Sequence, residues 1–405
     1  MGYLKESIKG VGWMGALRTV TRLLAFAKIA ILARILVPEQ FGLFGIASLI
    51  LAFLEILTAT GINVFFIQGE GKIKDYLNTA WIVSITRGCV ISLIVFLAST
   101  PVALFFNAPG SLNLIRLIAV VPIIRGFVNP AVISYRKRLL FNKEFYFRSL
   151  LFLIESLFTV SFVLITRNVS SLVVGMIAGG FFEVILSFAL FTERPRLSFE
   201  IEKVKKVIKR GKWVTMAGIF NYLFENGDDA VVGRLLNTGA LGYYQVAYKI
   251  STLPISEVRQ TVVKVAFPVY SRISGDKERL KKAYIKTLLT ISVFATILGL
   301  FIFFFAGNVV LILLGSNWLR IVPVLKVLSI FGILKAIITS SYPVFNSVKK
   351  QEYVAYATFV NLVIMALTII PFVKNYGIVG AGYSAIIGTA ASLPFILIYL
   401  ARILR

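Results

Sequence analysis

Apolar residues in this chain come in runs of about twenty, divided by short polar breaks, from one end to the other. A bilayer core needs about 20 consecutive apolar residues per helix. The pattern predicts twelve helices, over 11–36, 40–66, 77–106, 112–135, 147–166, 169–192, 211–236, 240–270, 284–306, 319–345, 352–373 and 377–401. The longest hydrophilic stretch, around 193–212, is too short to be a soluble domain. An all-α polytopic membrane protein is the expected fold class.

The polar breaks differ in charge from one side to the other. One set holds Lys5, Lys9, Lys72, Lys74, the Tyr135–Arg148 run, the 194–212 and 272–286 segments, Lys349, Lys350, Arg402 and Arg405. The other holds Arg167, Arg320 and Lys374, so about 27 cations face 3. Cytoplasmic loops carry the excess of Lys and Arg, which puts both termini in the cytoplasm. Arg18 and Arg22 interrupt the first apolar run and no small-residue cleavage pattern follows, so it reads as a retained helix and not a signal peptide. The outer loops are short. The longest, Ala306–Leu319, includes an apolar run, Val309–Leu314, expected to lie at the interface as a half-turn.

The chain also repeats itself. Ala33-Arg34-Ile35-Leu36 with Phe41-Gly42-Leu43-Phe44 and Ala47 aligns, 200 residues on, with Gly233-Arg234-Leu235-Leu236, Leu241-Gly242-Tyr243-Tyr244 and Ala247. Arg116 and Arg125 share their spacing with Lys326 and Lys335. Six helices per half insert both halves the same way up. This predicts two six-helix bundles, 1–192 and 211–405, related by a pseudo-two-fold along the membrane normal, with a substrate path between them. The basic segment 193–210 reads as an amphipathic linker held at anionic headgroups.

A net charge of +25 in a soluble protein would suggest nucleic acid; here the loop asymmetry accounts for it, and no nucleic-acid partner is expected. One cysteine and no histidine remove disulfides, thiolate metal clusters and the usual proton relay. Within the predicted spans lie thirteen cations: Arg18, Arg22, Lys28, Arg34, Arg87, Arg116, Arg125, Arg234, Lys249, Arg259, Lys264, Lys326 and Lys335. Seven acids accompany them: Glu55, Glu155, Glu183, Glu225, Asp228, Asp229 and Glu257. A charge at the bilayer centre costs roughly 2.5–3.5 kcal/mol even on lenient scales, so the surplus is expected to line a wet, positive interior that carries an anion.

Guanidinium forks suit phosphate or diphosphate oxygens. The substrate-binding candidates are therefore Arg18, Arg22, Arg87, Arg125, Lys249, Arg259 and Lys335, whereas Arg34, Arg116 and Arg234 lie near the outer ends as anchors. Glu225, Asp228, Asp229 and Glu257 are the candidates for coupling to H⁺ or Na⁺. Structural ion pairs compete for each charge, for example Glu257 with Lys264 or Asp229 with Arg234. No catalytic residue, metal site or cofactor is expected. Asp228 and Asp229 sit within a helix instead of a sugar-nucleotide loop, no large outer loop suits a glycan polymerase, and no phosphate-binding Gly-rich loop is present.

The segment Asp228-Asp229-Ala-Val-Val-Gly-Arg234, Gly239-Ala-Leu-Gly242-Tyr-Tyr244-Gln-Val-Ala247, Leu253-Pro254 and Ala266-Phe-Pro268-Val-Tyr-Ser271 resembles the polysaccharide transport family, as does Ala33-Arg34-Ile-Leu-Val-Pro-Glu-Gln-Phe-Gly42. These are Wzx-type lipid-linked oligosaccharide flippases of the multidrug/oligosaccharidyl-lipid/polysaccharide exporter superfamily. The resemblance covers essentially the whole chain. It implies an inner-membrane flippase, not an enzyme, moving polyprenyl-diphosphate-linked oligosaccharide from the cytoplasmic to the outer leaflet for lipopolysaccharide or other surface polysaccharide. Alternating access of two bundles around a cationic cavity is the implied mechanism, with anionic lipids and polysaccharide polymerase machinery as further partners. The rival readings are an ion-coupled multidrug exporter on the same fold and a membrane glycan polymerase. Peptidoglycan-precursor flippases of the superfamily have two additional helices, which this pattern lacks.

Overall fold

The computed structural model describes residues 2–58, 73–196, 218–219, 222–223 and 225–404, and among them the ordered backbone is helical, with no strand. Contacts divide the chain into two compact units, Met1–Gly227 and Asp228–Arg405. Most of the expected linker 193–210, and the start of the helix expected at 211, lie outside the described residues.

The first unit runs α1 (Gly2–Ile35), α2 (Pro38–Leu57), α3 (Ile73–Phe105), α4 (Leu112–Ile118), α5 (Val120–Gly126), α6 (Ser134–Lys137), α7 (Phe141–Thr166) and α8 (Ser170–Leu190). A further helix, α9, occupies 225–235. The second unit continues with α10 (Thr238–Arg272), α11 (Lys277–Phe304), α12 (Ala306–Leu313), α13 (Val322–Thr339), α14 (Tyr342–Ser347), α15 (Gln351–Ala391) and α16 (Leu393–Leu404). Among the described residues eight stretches are long and apolar enough to cross a membrane, and the last, Gln351–Leu404, holds two spans divided where Gly377 leaves helical geometry at φ 60°. Among the described residues, α1, α9 and α10 fall outside those eight stretches and correspond to the charge-bearing helices expected at 11–36, 211–236 and 240–270.

The structure corrects the expected helices in several places. The run 112–135 is not continuous: it breaks at Ala119 and again over 127–129. Pro122 explains the first break, because it has no N–H for the Ile118 carbonyl and its ring crowds that turn. The run 319–345 breaks likewise, ending at Thr339 and resuming at Tyr342. The apolar stretch in the loop after α11 forms a full helix, α12. The first helix begins at Gly2, ahead of its expected start.

Glycines let the helix backbones approach. A Cβ on Gly88 of α3 would strike the Pro122 carbonyl of α5, and one on Gly126 would meet Ser84 and Ile85 in return. Gly175 and Gly179, four apart on α8, face Thr159 and Glu155 of α7. Small residues at this spacing bring membrane helices into close van der Waals contact.

The repeat is written into the backbone. Among the described residues the positive-φ positions are Asn107, Leu139, Arg167, Gly315, Lys349 and Gly377. Leu139 and Lys349 are 210 residues apart, as are Arg167 and Gly377, while Asn107 and Gly315 are 208 apart. Leu139 and Lys349 close matching helix ends: Leu140 N–H donates to the Tyr135 carbonyl (2.7 Å) and Lys350 N–H to the Phe345 carbonyl (2.8 Å). Both are the six-to-one bond of a Schellman cap. The side chains echo this. Arg116 of α4 lies over Phe96 of α3, and Lys326 of α13 over Phe303 of α11.

Candidate functional site

The candidate side chains fall into groups that differ in what already holds them. On α1, Arg18 and Arg22 stand one turn apart and half-buried. Thr21 spends its hydroxyl on the Leu17 and Arg18 carbonyls. Lys28, two turns further, donates to Glu155 of α7 at 2.8 Å and lies 4.9 Å from the Phe152 ring centre. That cation is neutralised inside the unit.

Arg87 of α3 serves the fold. Its Nε donates to Thr58 Oγ1 (3.1 Å) and its Nη2 to the Glu55 carbonyl (2.5 Å), at the C-terminal end of α2. A guanidinium there satisfies orphan helix-end groups and meets the negative end of the dipole. Arg125 of α5 is held more loosely. Its Nη1 is 4.0 Å from Glu55 Oε1, and both side chains are more than a third exposed (39% and 36%), so screening leaves little attraction.

In the second unit two of the coupling candidates, Asp228 and Asp229, meet aromatic and amide partners. Asp228 is buried, its Oδ2 accepting from the Tyr244 hydroxyl at 2.7 Å and its Oδ1 from the Asp229 N–H at 3.0 Å. Asp229 Oδ2 accepts from Gln245 Nε2 at 3.0 Å. Lys335 Nζ donates to the Tyr248 hydroxyl (3.1 Å) and lies over the Tyr248 and Phe331 rings. Tyr244 and Tyr248, one turn apart on α10, thus join Asp228 to Lys335 in one polar seam. Lys249 and Glu225 are exposed, and Arg259 and Glu257 half-buried.

Sequence reasoning did not single out Tyr244, Gln245 or Tyr248 as polar partners. The signal was their i, i+4 spacing on the helix that follows the Asp pair. It also counted Arg136 and Arg148 only as loop charges. The structure pairs Arg136 with Glu144 and Arg148 with Glu183 (2.8 Å) beside Arg125. Among the described residues no cluster of three His, Cys, Asp or Glu side chains could hold a metal.

Long apolar helices that carry charged side chains along their length define a multi-span membrane protein. Two solved transporter structures share the fold: an inward-facing multidrug MATE transporter of the MOP superfamily (TM-score 0.72, 17% identity, 95% of this chain and 94% of that one) and the lipid II flippase MurJ in an inward closed conformation (TM-score 0.76, 14% identity, 96% and 89%). The profile of a family described as "Polysaccharide biosynthesis protein" matches residues 31–323, and the chain belongs to that family. It is 26% identical to the lipopolysaccharide biosynthesis protein WzxC of Escherichia coli K12, over 83% of this chain and 69% of that protein. It is 21% identical to the succinoglycan biosynthesis transport protein ExoT of Rhizobium meliloti, over 97% and 82%.

Proposed function

We propose that the chain is a flippase that moves polyprenyl-diphosphate-linked oligosaccharide from the cytoplasmic to the outer leaflet, by alternating access through a cationic passage. It sits in the inner membrane with both termini cytoplasmic, and the glycan it exports is built into surface polysaccharide. One observation carries this reading. With Arg34 and Arg116 set aside as outer anchors, the first-half spans hold Arg18, Arg22, Lys28, Arg87 and Arg125 against Glu55, Glu155 and Glu183. Five cations outnumber three carboxylates, and a positive surplus at bilayer depth suits an anionic passenger. Membership of a polysaccharide biosynthesis family supports a passenger that carries sugars, and a diphosphate is the anion we assign to it.

Arg18, Arg22, Arg125, Lys249, Arg259 and Lys335 are the proposed passenger contacts, and Arg87 contributes by holding the end of α2. Glu225, Asp228, Asp229 and Glu257 couple movement to H⁺ or Na⁺. The double substitution Arg18→Ala with Arg125→Ala tests the reading in cells. Surface polysaccharide is expected to disappear while the protein stays inserted in the membrane. Undiminished polysaccharide would refute the passage.

A further inference from the structure

At one end of the first unit, the break between α5 and α6 opens a cavity of about 170 Å³. Its wall includes Arg125, Asn129, Arg136, Glu144, Arg148 and Glu183, contributed by α5 to α8 and the turn between α5 and α6. Irregular backbone persists where its polar groups find partners. Here Trp81 Nε1 donates to the Phe127 carbonyl (3.1 Å), and Asn129 pins the turn by donating to the Glu193 carbonyl (2.8 Å) and accepting from Ala131 N–H (3.0 Å). The cavity is thus a built feature of the fold.

Its chemistry is unbalanced. Three guanidinium groups offer five N–H donors each. Arg136 and Arg148 each spend one nitrogen on a carboxylate, and Arg125 only approaches Glu55 at 4.0 Å. Among the described residues most of these donors have no carboxylate partner, which suits a ligand rich in anionic oxygens. One acceptor is left over as well: Glu144 is 3% exposed, and its Oε2 has no hydrogen-bond partner among the described residues. A buried carboxylate oxygen without a partner calls for a hydrogen-bond donor, which a ligand hydroxyl would supply.

We propose that this cavity binds a phosphate ester that also carries hydroxyl groups, with Arg125 and Arg148 on the phosphate and Glu144 on a hydroxyl. Two sources have this chemistry: the glycosyl phosphate of the passenger, which rests on the flippase reading, and the glycerophosphate headgroup of a bilayer lipid. On the orientation proposed above the cavity lies at the cytoplasmic end, where a passenger loads.

The test uses the full chain in phosphatidylcholine nanodiscs, titrated with glucose 1-phosphate, glycerol 1-phosphate and glucose, with bound ligand read by calorimetry. A phosphate ester is expected to saturate at least about tenfold more tightly than glucose. That affinity should fall about tenfold or more in Arg125→Gln and Arg148→Gln, as expected for losing a charge-assisted hydrogen bond. Ser84 of α3 lines the cavity as well, so Ser84→Phe, which fills it and keeps every charge, should also abolish binding, and thermal unfolding confirms that each variant is folded. A preference for glucose 1-phosphate assigns the site to the passenger, and a preference for glycerol 1-phosphate assigns it to the headgroup. Failure to discriminate against glucose, or affinity unchanged in all three variants, overturns the proposal. The flippase reading falls separately, only if the unmodified chain moves no lipid-linked glycan, whatever this cavity binds.

Discussion

Lys28 of α1 and Glu155 of α7 meet at 2.8 Å, with Gly179 of α8 packed against the carboxylate's Cβ. Their side chains are 13% and 20% exposed, so neither charge has much water to fall back on. Removing one partner of such a pair costs about 3–5 kcal/mol, whereas replacing both with apolar groups is often neutral. Glu155→Leu alone is expected to destabilise the purified protein by about 3 kcal/mol. Lys28→Met with Glu155→Leu should recover most of that loss, as read by thermal unfolding in detergent. Equal loss in the single and double variants would show that the pair is not a closed structural unit.

Arg87 leads to a different expectation. Its guanidinium spans Thr58 Oγ1 and the Glu55 carbonyl, two acceptors that a fork can reach together and an ammonium cannot. Arg87→Ala should cost about 1.5–3 kcal/mol, the range for charged hydrogen bonds. Arg87→Lys should restore less than half of it. Full rescue by lysine would mean that charge alone matters at this position.

Leu139 and Lys349 hold left-handed backbone at equivalent places in the repeat, φ 57° and 60°, and both are exposed. A side chain in that region costs roughly 1–2 kcal/mol. Leu139→Gly and Lys349→Gly are each expected to raise stability by about 1 kcal/mol, measured as a higher unfolding midpoint. A lower midpoint would contradict the cap assignment.

The buried carboxylate of Asp228 depends on the Tyr244 hydroxyl at 2.7 Å. Tyr244→Phe strands that oxygen and should cost about 1–3 kcal/mol. Asp228→Asn, by contrast, should leave the protein folded and remove the response of transport to an imposed H⁺ or Na⁺ gradient. Gradient-dependent transport persisting in Asp228→Asn would remove this residue from the coupling set.

Hydropathy made the spans legible, because every membrane helix must bury its backbone polar groups and clothe them in apolar side chains. It did not reveal the breaks at Ala119, 127–129 and Ser340, since composition stays apolar while the backbone turns. Asn129-Pro130 was the available clue, a dipeptide that marks turns. The charges were legible as a surplus and not as individuals. Lys28 and Arg87 carry the same sign as Arg18, yet the structure gives both to packing. The cavity beside Arg125 was hidden for a related reason. Arg136 and Glu144 are eight residues apart across a loop, and Arg148 and Glu183 lie on different helices, so no sequence spacing announced their pairing.

Flipping by the purified chain in proteoliposomes measures the central claim most directly. A fluorescent polyprenyl-diphosphate sugar is placed in both leaflets, and a membrane-impermeant quencher reports how much becomes reachable from outside. The unmodified protein should make nearly all of it reachable, and Arg18→Ala with Arg22→Ala should leave about half protected. Protection unchanged by the unmodified protein, or full access in the double variant, would contradict a cationic passage for a phosphorylated passenger.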